Sequence, residues 1–249
     1  MIDDNGASEE LISKEVFHTT VSRDTLNSGA KRLNASSYSS EIVAAKKLIH
    51  ETDREVQPLS ELCEDVFRMS RFKRVWVDDA EHGYPYMAPK DLAMYKPRLR
   101  KRENPQKAFV SKHEYEDQFD DFSVEARWLL ISCSGAIGRV FLATEEYEQY
   151  FFTHDLIRVI PKEGTLEGYL YAYLDSWVGQ ALLTQNEHGV TVDHIEPHQI
   201  EDLPVILPPD DKRQEIHETA VGAYKHREKF LKKDQQAVEE TDALFGAEG

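Results

Sequence analysis

At 249 residues the chain is long enough for one sizeable domain plus an extension, and a hydrophobic share of 40% can bury a core. Its two cysteines, Cys63 and Cys133, exclude a disulfide framework, and no apolar run nears the ~18 residues of a membrane span. A net charge of −16 excludes a surface that is basic throughout, so any contact with nucleic acid has to be local.

Along the chain, residues 1–34 are polar, with scattered Ser, Thr, Asn and Gly and no periodic run, and read as a flexible leader. The opening Met1-Ile2-Asp3-Asp4 lacks the charged-then-apolar layout of a signal peptide, so the cytoplasm is the expected location. From Tyr38 to Thr52, the residues Ile42, Ala45, Leu48 and Ile49 fall at helical spacing behind serines able to cap a helix. Between Leu59 and Leu207 strands and short helices mix without a βαβ rhythm, which predicts an α+β fold and a domain over 35–209. Inside it, Trp128 to Ile131 reads as a buried strand, Ser134-Gly135 and Gly138 punctuate it, and Val140-Phe141-Leu142 resumes it as a β-turn-β unit.

After Pro208-Pro209 and Asp210-Asp211, the run from Lys212 to Phe245 has no Pro and a single Gly, Gly222, and predicts one helix. About 34 residues at ~1.5 Å each make an arm of roughly 50 Å. A grid of 3.5 residues places Ile216, Ala220, Ala223, Arg227, Phe230, Asp234, Ala237, Thr241 and Leu244 on one seam. The seam is apolar enough to need cover, so residues 210–249 are expected to project as a coiled-coil-like arm that meets another helix, with Ile216, Ala220, Ala223, Phe230, Ala237 and Leu244 as partner contacts.

Charge is segregated. From Arg68 to Lys112 there are twelve Lys/Arg against five Asp/Glu, a local +7; taking this from −16 leaves −23 for the rest of the chain. A basic stretch on an acidic body is the expected footprint of a local DNA face. Tyr84, Tyr86, Tyr95 and Phe109, interleaved with these charges, point the same way, because aromatics in a polar loop need a partner or a core to cover them.

The run Ser132-Cys133-Ser134-Gly135-Ala136-Ile137-Gly138 resembles the Ser-x-Ser-Gly-x-Ile-Gly element of target-recognition domains in specificity (S) subunits of type I restriction-modification enzymes. Similar matches stand in the family's order: Arg71 to Val77, Gly83-Tyr84-Pro85-Tyr86-Met87 with Lys90-Asp91-Leu92, His154 to Val159, Tyr169 to Leu174 with Ser176 and Gly179, Gly189-Val190-Thr191 leading to Ile195, and Ile200 to Pro209 with Gln214-Glu215-Ile216. The resemblance implies a non-catalytic DNA-reading subunit of a phage-defence system, with S-adenosylmethionine bound by a methyltransferase partner and no cofactor on this chain. It implies double-stranded DNA, the methyltransferase subunit and, where the system cleaves, a restriction subunit as partners, with the long helix as spacer and docking element. A full S subunit has two recognition domains and two spacers, whereas one of each is found here, so the chain is read as a half subunit that pairs with itself or with a second half. The DNA contacts expected from resemblance and charge are Arg71, Lys73, Arg74, Tyr84, Tyr86, Lys90, Lys96, Arg98, Arg100, Lys101, Arg102, Ser134, His188 and Thr191.

Catalytic signatures are lacking. No glycine-rich loop leads from a strand into a helix, and Pro208-Pro209 is followed by Asp210 where an adenine methyltransferase needs an aromatic residue. No Asp with a Glu-x-Lys pair suggests a metal-dependent nuclease. His194 and His198 flank Pro197 without the glutamate of a zinc hydrolase and read as turn residues. Cys133 has no histidine partner in the pattern, and Ser134 lacks the Gly-x-Ser-x-Gly spacing of a nucleophile. Two rival readings stay open: an acidic decoy that occupies another protein's DNA site, against which the +7 segment counts, and a stand-alone restriction nuclease with an unfamiliar active site.

Overall fold

The structure, a computed structural model, describes residues 39–93, 107–185 and 194–246; the leader assigned to 1–34 lies outside them. In chain order its elements begin with α1 (Ser40–Glu51), β1 (Glu55–Pro58), α2 (Leu59–Leu62), β2 (Cys63–Arg68), β3 (Trp76–Val77), β4 (Gly83–Met87), α3 (Pro89–Ala93), β5 (Phe109–Ser111), α4 (Lys112–Tyr115) and α5 (Phe119–Phe122). There follow β6 (Leu129–Ser132), β7 (Val140–Leu142), β8 (Phe151–Phe152), β9 (Leu156–Pro161), α6 (Glu167–Asp175), α7 (Trp177–Thr184), α8 (Pro197–Glu201), β10 (Pro204–Leu207) and α9 (Asp210–Leu244). The mixture is α+β, as the sequence pattern predicts.

The central sheet runs β2-β9-β6-β7 and is antiparallel throughout. β6 is buried on both faces because its side chains alternate between two cores. Leu129 and Ile131 face the larger core under α1, α6 and α7, while Leu130 faces a smaller one with Met87, Leu92, Phe152 and Leu156. A second sheet, β3-β5-β4-β8, covers a third core rich in aromatic rings, and its β4-β8 pair is parallel, with Tyr86 opposite Phe151. β1 pairs with β10 alone, and the hydroxyl of Tyr173 on α6 donates to the Pro204 carbonyl of β10 at 2.7 Å. α1 starts as expected, its Ser39 hydroxyl accepting from the Ile42 amide at 3.4 Å, but Leu48 faces solvent rather than the core.

The long helix is there, 35 residues in α9, or about 52 Å at ~1.5 Å per residue. Asp210 and Asp211 put negative charge where the helix dipole favours it. Through Lys232 it lies on its own domain, which corrects the expectation that the whole helix projects; only its end stands as the expected arm. Ile216, Val221 and Tyr224 pack on the larger core and Ala220 is buried. At Gly168 the approach to α6 is so close that a Cβ would lie 2.6 Å from the His217 carbonyl oxygen, and the Gly168 amide donates to His217 Nδ1 at 3.1 Å. The Leu142 amide on the outer edge of β7 donates to the Tyr224 hydroxyl at 3.1 Å. Arg227 donates to the Tyr147 hydroxyl at 2.6 Å and the Leu92 carbonyl at 3.1 Å, and Lys232 pairs with Glu146 at 2.9 Å. Ile216 and Ala220, expected to meet a partner, are therefore covered by the chain itself. The physical reason is that residues 216, 217, 220, 221, 224, 227, 228 and 231 form a stripe of period 3.6, broader than the 3.5-residue seam and matched to a sheet edge. Beyond Lys232 the helix is largely exposed, and Leu244 and Phe245 are each 82% accessible.

Candidate nucleic-acid interface

The loop from β2 to β3 is fixed by one aromatic residue. Phe72 lies 4.6 Å from Phe122, 5.3 Å from Phe151 and 5.5 Å from Tyr115 between ring centroids, and the Tyr115 hydroxyl donates to the Lys73 carbonyl. With Phe72 turned inward, its neighbours Arg71 and Lys73 stand exposed, as alternation in an extended chain requires. Arg74 turns back. Its Nε donates to the Tyr86 hydroxyl at 2.7 Å, and its Nη2 donates to Thr153 Oγ1 at 3.1 Å and to Asp155 Oδ2 at 3.3 Å. The guanidinium also lies over the rings of Phe72 and Tyr86.

Asp155 gathers the surrounding segments. Oδ1 accepts from the Ser134 hydroxyl at 2.9 Å and Oδ2 from the Thr153 hydroxyl at 2.9 Å, while the Asp155 carbonyl accepts from the Cys133 amide at 3.1 Å. Burial pushes its carboxyl up, but the hydrogen bonds from Thr153 and Ser134 and the charge of Arg74 outweigh that and hold it below the usual carboxylate range. Next to it, at 3.5 Å, burial pulls His154 below the usual imidazole range against the attraction of Asp155, which favours its neutral form. A backbone bridge joins Ser134 to His194, and two residues on, Glu196 takes Arg68 at 3.1 Å.

The turn from β6 to β7 is held from beneath and open above. The Ser132 hydroxyl donates to the Ala136 carbonyl and accepts from the Arg139 amide at 2.9 Å, and Gln180 of α7 donates to the Gly138 carbonyl at 2.8 Å. Gly135 and Gly138 have φ of 71° and 77°, left-handed conformations that a side chain would strain. Gly135, Ala136 and Arg139 are exposed, leaving a tip of bare backbone beside a cation.

The structure thus divides the expected contacts. Arg71, Lys73 and Lys90 are exposed; Ser134 is half-buried and bonded to Asp155; Tyr84 is half-buried, its ring 4.3 Å from Phe119. Tyr86 is 4% exposed, which corrects it from a surface contact to a support, while Arg74 is bonded to Tyr86 and Asp155 with its side chain 32% accessible. Lys96, Arg98, Arg100, Lys101, Arg102, His188 and Thr191 lie outside the described residues. On α9, Ala223, Phe230, Ala237 and Leu244 remain exposed. His194 bridges to Ser134, whereas His198 belongs to α8 and not to a turn. Both thiols are buried, and burial pushes that of Cys63 up to about 12 and that of Cys133 up as well. Sequence reasoning missed Asp155, Thr153, Arg68 and Arg139; an Asp one residue before the apolar run of β9 and an Arg directly after Gly138 were the available signals.

Among the described residues, no helix is long and apolar enough to cross a membrane. Residues 52–239 match the family model of the type I restriction modification DNA specificity domain. The chain belongs to that family. The specificity-domain match starts just after α1 and crosses into α9, so it includes the part of the helix that docks on the sheet. No curated protein matches the chain. Among solved structures it is similar to the S subunit of a type I restriction-modification system from M. genitalium (14% identity, TM-score 0.41, 68% of this chain and 38% of that one). It is similar also to the HsdS subunit from Thermoanaerobacter tengcongensis (14%, 0.47, 81% and 46%) and to the type IIG restriction endonuclease BpuSI (13%, 0.47, 74% and 28%). The matched region is less than half the length of each of these three chains.

Proposed function

We propose that this specificity-domain chain reads duplex DNA for an enzyme complex and performs no chemistry itself. Arg71, Lys73 and the tip at Gly135, Ala136 and Arg139 contact the duplex, with Lys96, Arg98, Arg100, Lys101 and Arg102 as phosphate ligands and His188 and Thr191 as further contacts. Phosphate contacts set the position while side chains and bare backbone at the tip read base edges. A separate methyltransferase subunit binds S-adenosylmethionine and supplies methyl transfer, and a restriction subunit joins where the system cleaves. The exposed end of α9, with Phe230, Ala237 and Leu244, meets the methyltransferase, a second copy or another half subunit. The site of action is the cytoplasm.

The observation that carries this reading is a convergence: residues from the separate motifs at 71–77, 83–87, 132–138 and 154–159 meet around the Arg74–Asp155 pair, Tyr86 on Arg74 and Ser134 on Asp155, beside two exposed loops. Assays of the pure chain with duplex DNA, S-adenosylmethionine and magnesium test it. Neither methylation nor cutting is expected from the pure chain, and methylation is expected once the methyltransferase subunit is added. Methylation or cleavage by the pure chain overturns it.

A further inference from the structure

Two loops with exposed cations flank a carboxylate that itself is only 30% accessible as a side chain. On one side stands the loop 69–75 with Arg71 and Lys73; on the other stands the β6-β7 turn with Gly135, Ala136 and Arg139. Arg74 belongs to the first loop and Ser134 to the second, and Asp155 holds both, Arg74 at 3.3 Å and Ser134 at 2.9 Å. Each contact uses a different oxygen. We propose that Asp155 is a positioning residue for DNA readout, fixing the spacing of the two loops without touching DNA; this rests on the DNA-reading function proposed above.

The geometry gives the carboxylate a task that an amide performs less well. Asp155→Asn keeps the shape but not the charge: with its single oxygen toward Arg74 and Thr153, its NH2 group meets Ser134 only if that hydroxyl reverses from donor to acceptor, and Arg74 faces a neutral oxygen in place of a carboxylate. The common anchor of the loops is then weaker, because its charge-assisted bond to Arg74 is gone. At the same time one negative charge is removed, and Arg74 loses its counter-charge next to a DNA-facing surface. Readout and phosphate attraction therefore move in opposite directions, because base discrimination depends on ångström-level placement and non-specific binding depends on net positive charge.

The test uses the full chain, in the complex with which it purifies, and a duplex pool with a randomised centre. The parent enriches one sequence; binding is then measured on that duplex and on a scrambled duplex of equal length. For Asp155→Asn, discrimination between the two is expected to fall about tenfold, while affinity for the scrambled duplex rises about threefold as a charge repelling phosphate disappears. Ser134→Ala, which removes only the turn's bond, should lose discrimination with an unchanged melting temperature and no gain on the scrambled duplex. If both affinities rise together in Asp155→Asn, the residue acts by charge alone and the inference is overturned. A fall in both, with Ser134→Ala indistinguishable from the parent, shows a structural role only and overturns it too. A parent that enriches no sequence overturns the DNA-reading function, and the inference with it.

Discussion

Replacing Gly168 by Ala asks whether α9 is docked, because the sign of the effect depends on it. In a free helix Gly→Ala is stabilising by up to about 1 kcal/mol, since Ala gives up less backbone entropy than Gly. Here the new Cβ would sit 2.6 Å from the His217 carbonyl oxygen and 3.0 Å from His217 Nδ1. Reaching ordinary contact requires α6 and α9 to part by about 0.8 Å. That displacement also lengthens the 3.1 Å bond from the Gly168 amide to His217 Nδ1. Overpacking of this kind costs about 1–3 kcal/mol and a weakened hydrogen bond about 1 kcal/mol more, which outweighs the gain in propensity. The net expectation is a loss of about 2 kcal/mol, or about 4–8 °C in melting temperature for a chain of this size. Thermal melts decide the sign, and hydrogen exchange across residues 213–232 should speed up in the variant. A raised melting temperature with unchanged exchange would show that α9 does not lie on α6, and the docking account would fail.

Five further outcomes follow, four from the same geometry and the last from the charge of the sequence. Tyr224→Phe leaves the Leu142 amide without its 3.1 Å partner, so chemical denaturation should show a loss of about 1–3 kcal/mol, whereas Leu244→Asp, at a residue 82% accessible, should cost under about 0.5 kcal/mol and instead weaken assembly as followed by light scattering. Arg158 is fully buried, bonded to the carbonyls of Phe122 and Leu156, and burial pulls it down to about 10; Arg158→Met should match or exceed the parent's stability, and a large loss would show that the charge is needed. Because Asp155 is held below the usual carboxylate range, its contribution is complete above the unfolded value near 3.9 and is lost as pH falls through the folded value, so Asp155→Asn should flatten the acid limb of stability against pH below about 4. Changing Arg98, Arg100, Lys101 and Arg102 together to Ala should reduce the salt slope of DNA binding by about 0.9 for each phosphate ligand removed, and an unchanged slope would take these residues out of the interface.

What the sequence revealed depended on whether the signal was local. β6 was legible from Leu129-Leu130-Ile131 because a strand buried on both faces reads as an unbroken apolar run, and α9 was legible because nothing in it breaks a helix. The docking of α9 was not, since its covering surface comes from α6, β7 and the Tyr147 turn, each far away in the chain. The same limit governs the site. Arg74 and Tyr86 read as contacts because a basic and an aromatic residue in a charged stretch look exposed until their partners are known, and Asp155 lies 81 positions from Arg74. Arg71 and Lys73 are exposed, as a DNA contact requires, because Phe72 between them takes the inward position. The parallel pairing of β4 with β8 carried no sequence signal, as β8 is only the two residues Phe151–Phe152.

The central claim is that this chain chooses where a separate methyltransferase acts. Genome-wide mapping of methylated adenines tests it most directly, in cells that express the methyltransferase subunit with the chain, without it, or with the Arg71→Ala, Lys73→Ala variant. The account predicts methylation at a single defined sequence with the intact chain, none without it, and weakened methylation at the same sequence with the variant. Identical maps with and without the chain would contradict it.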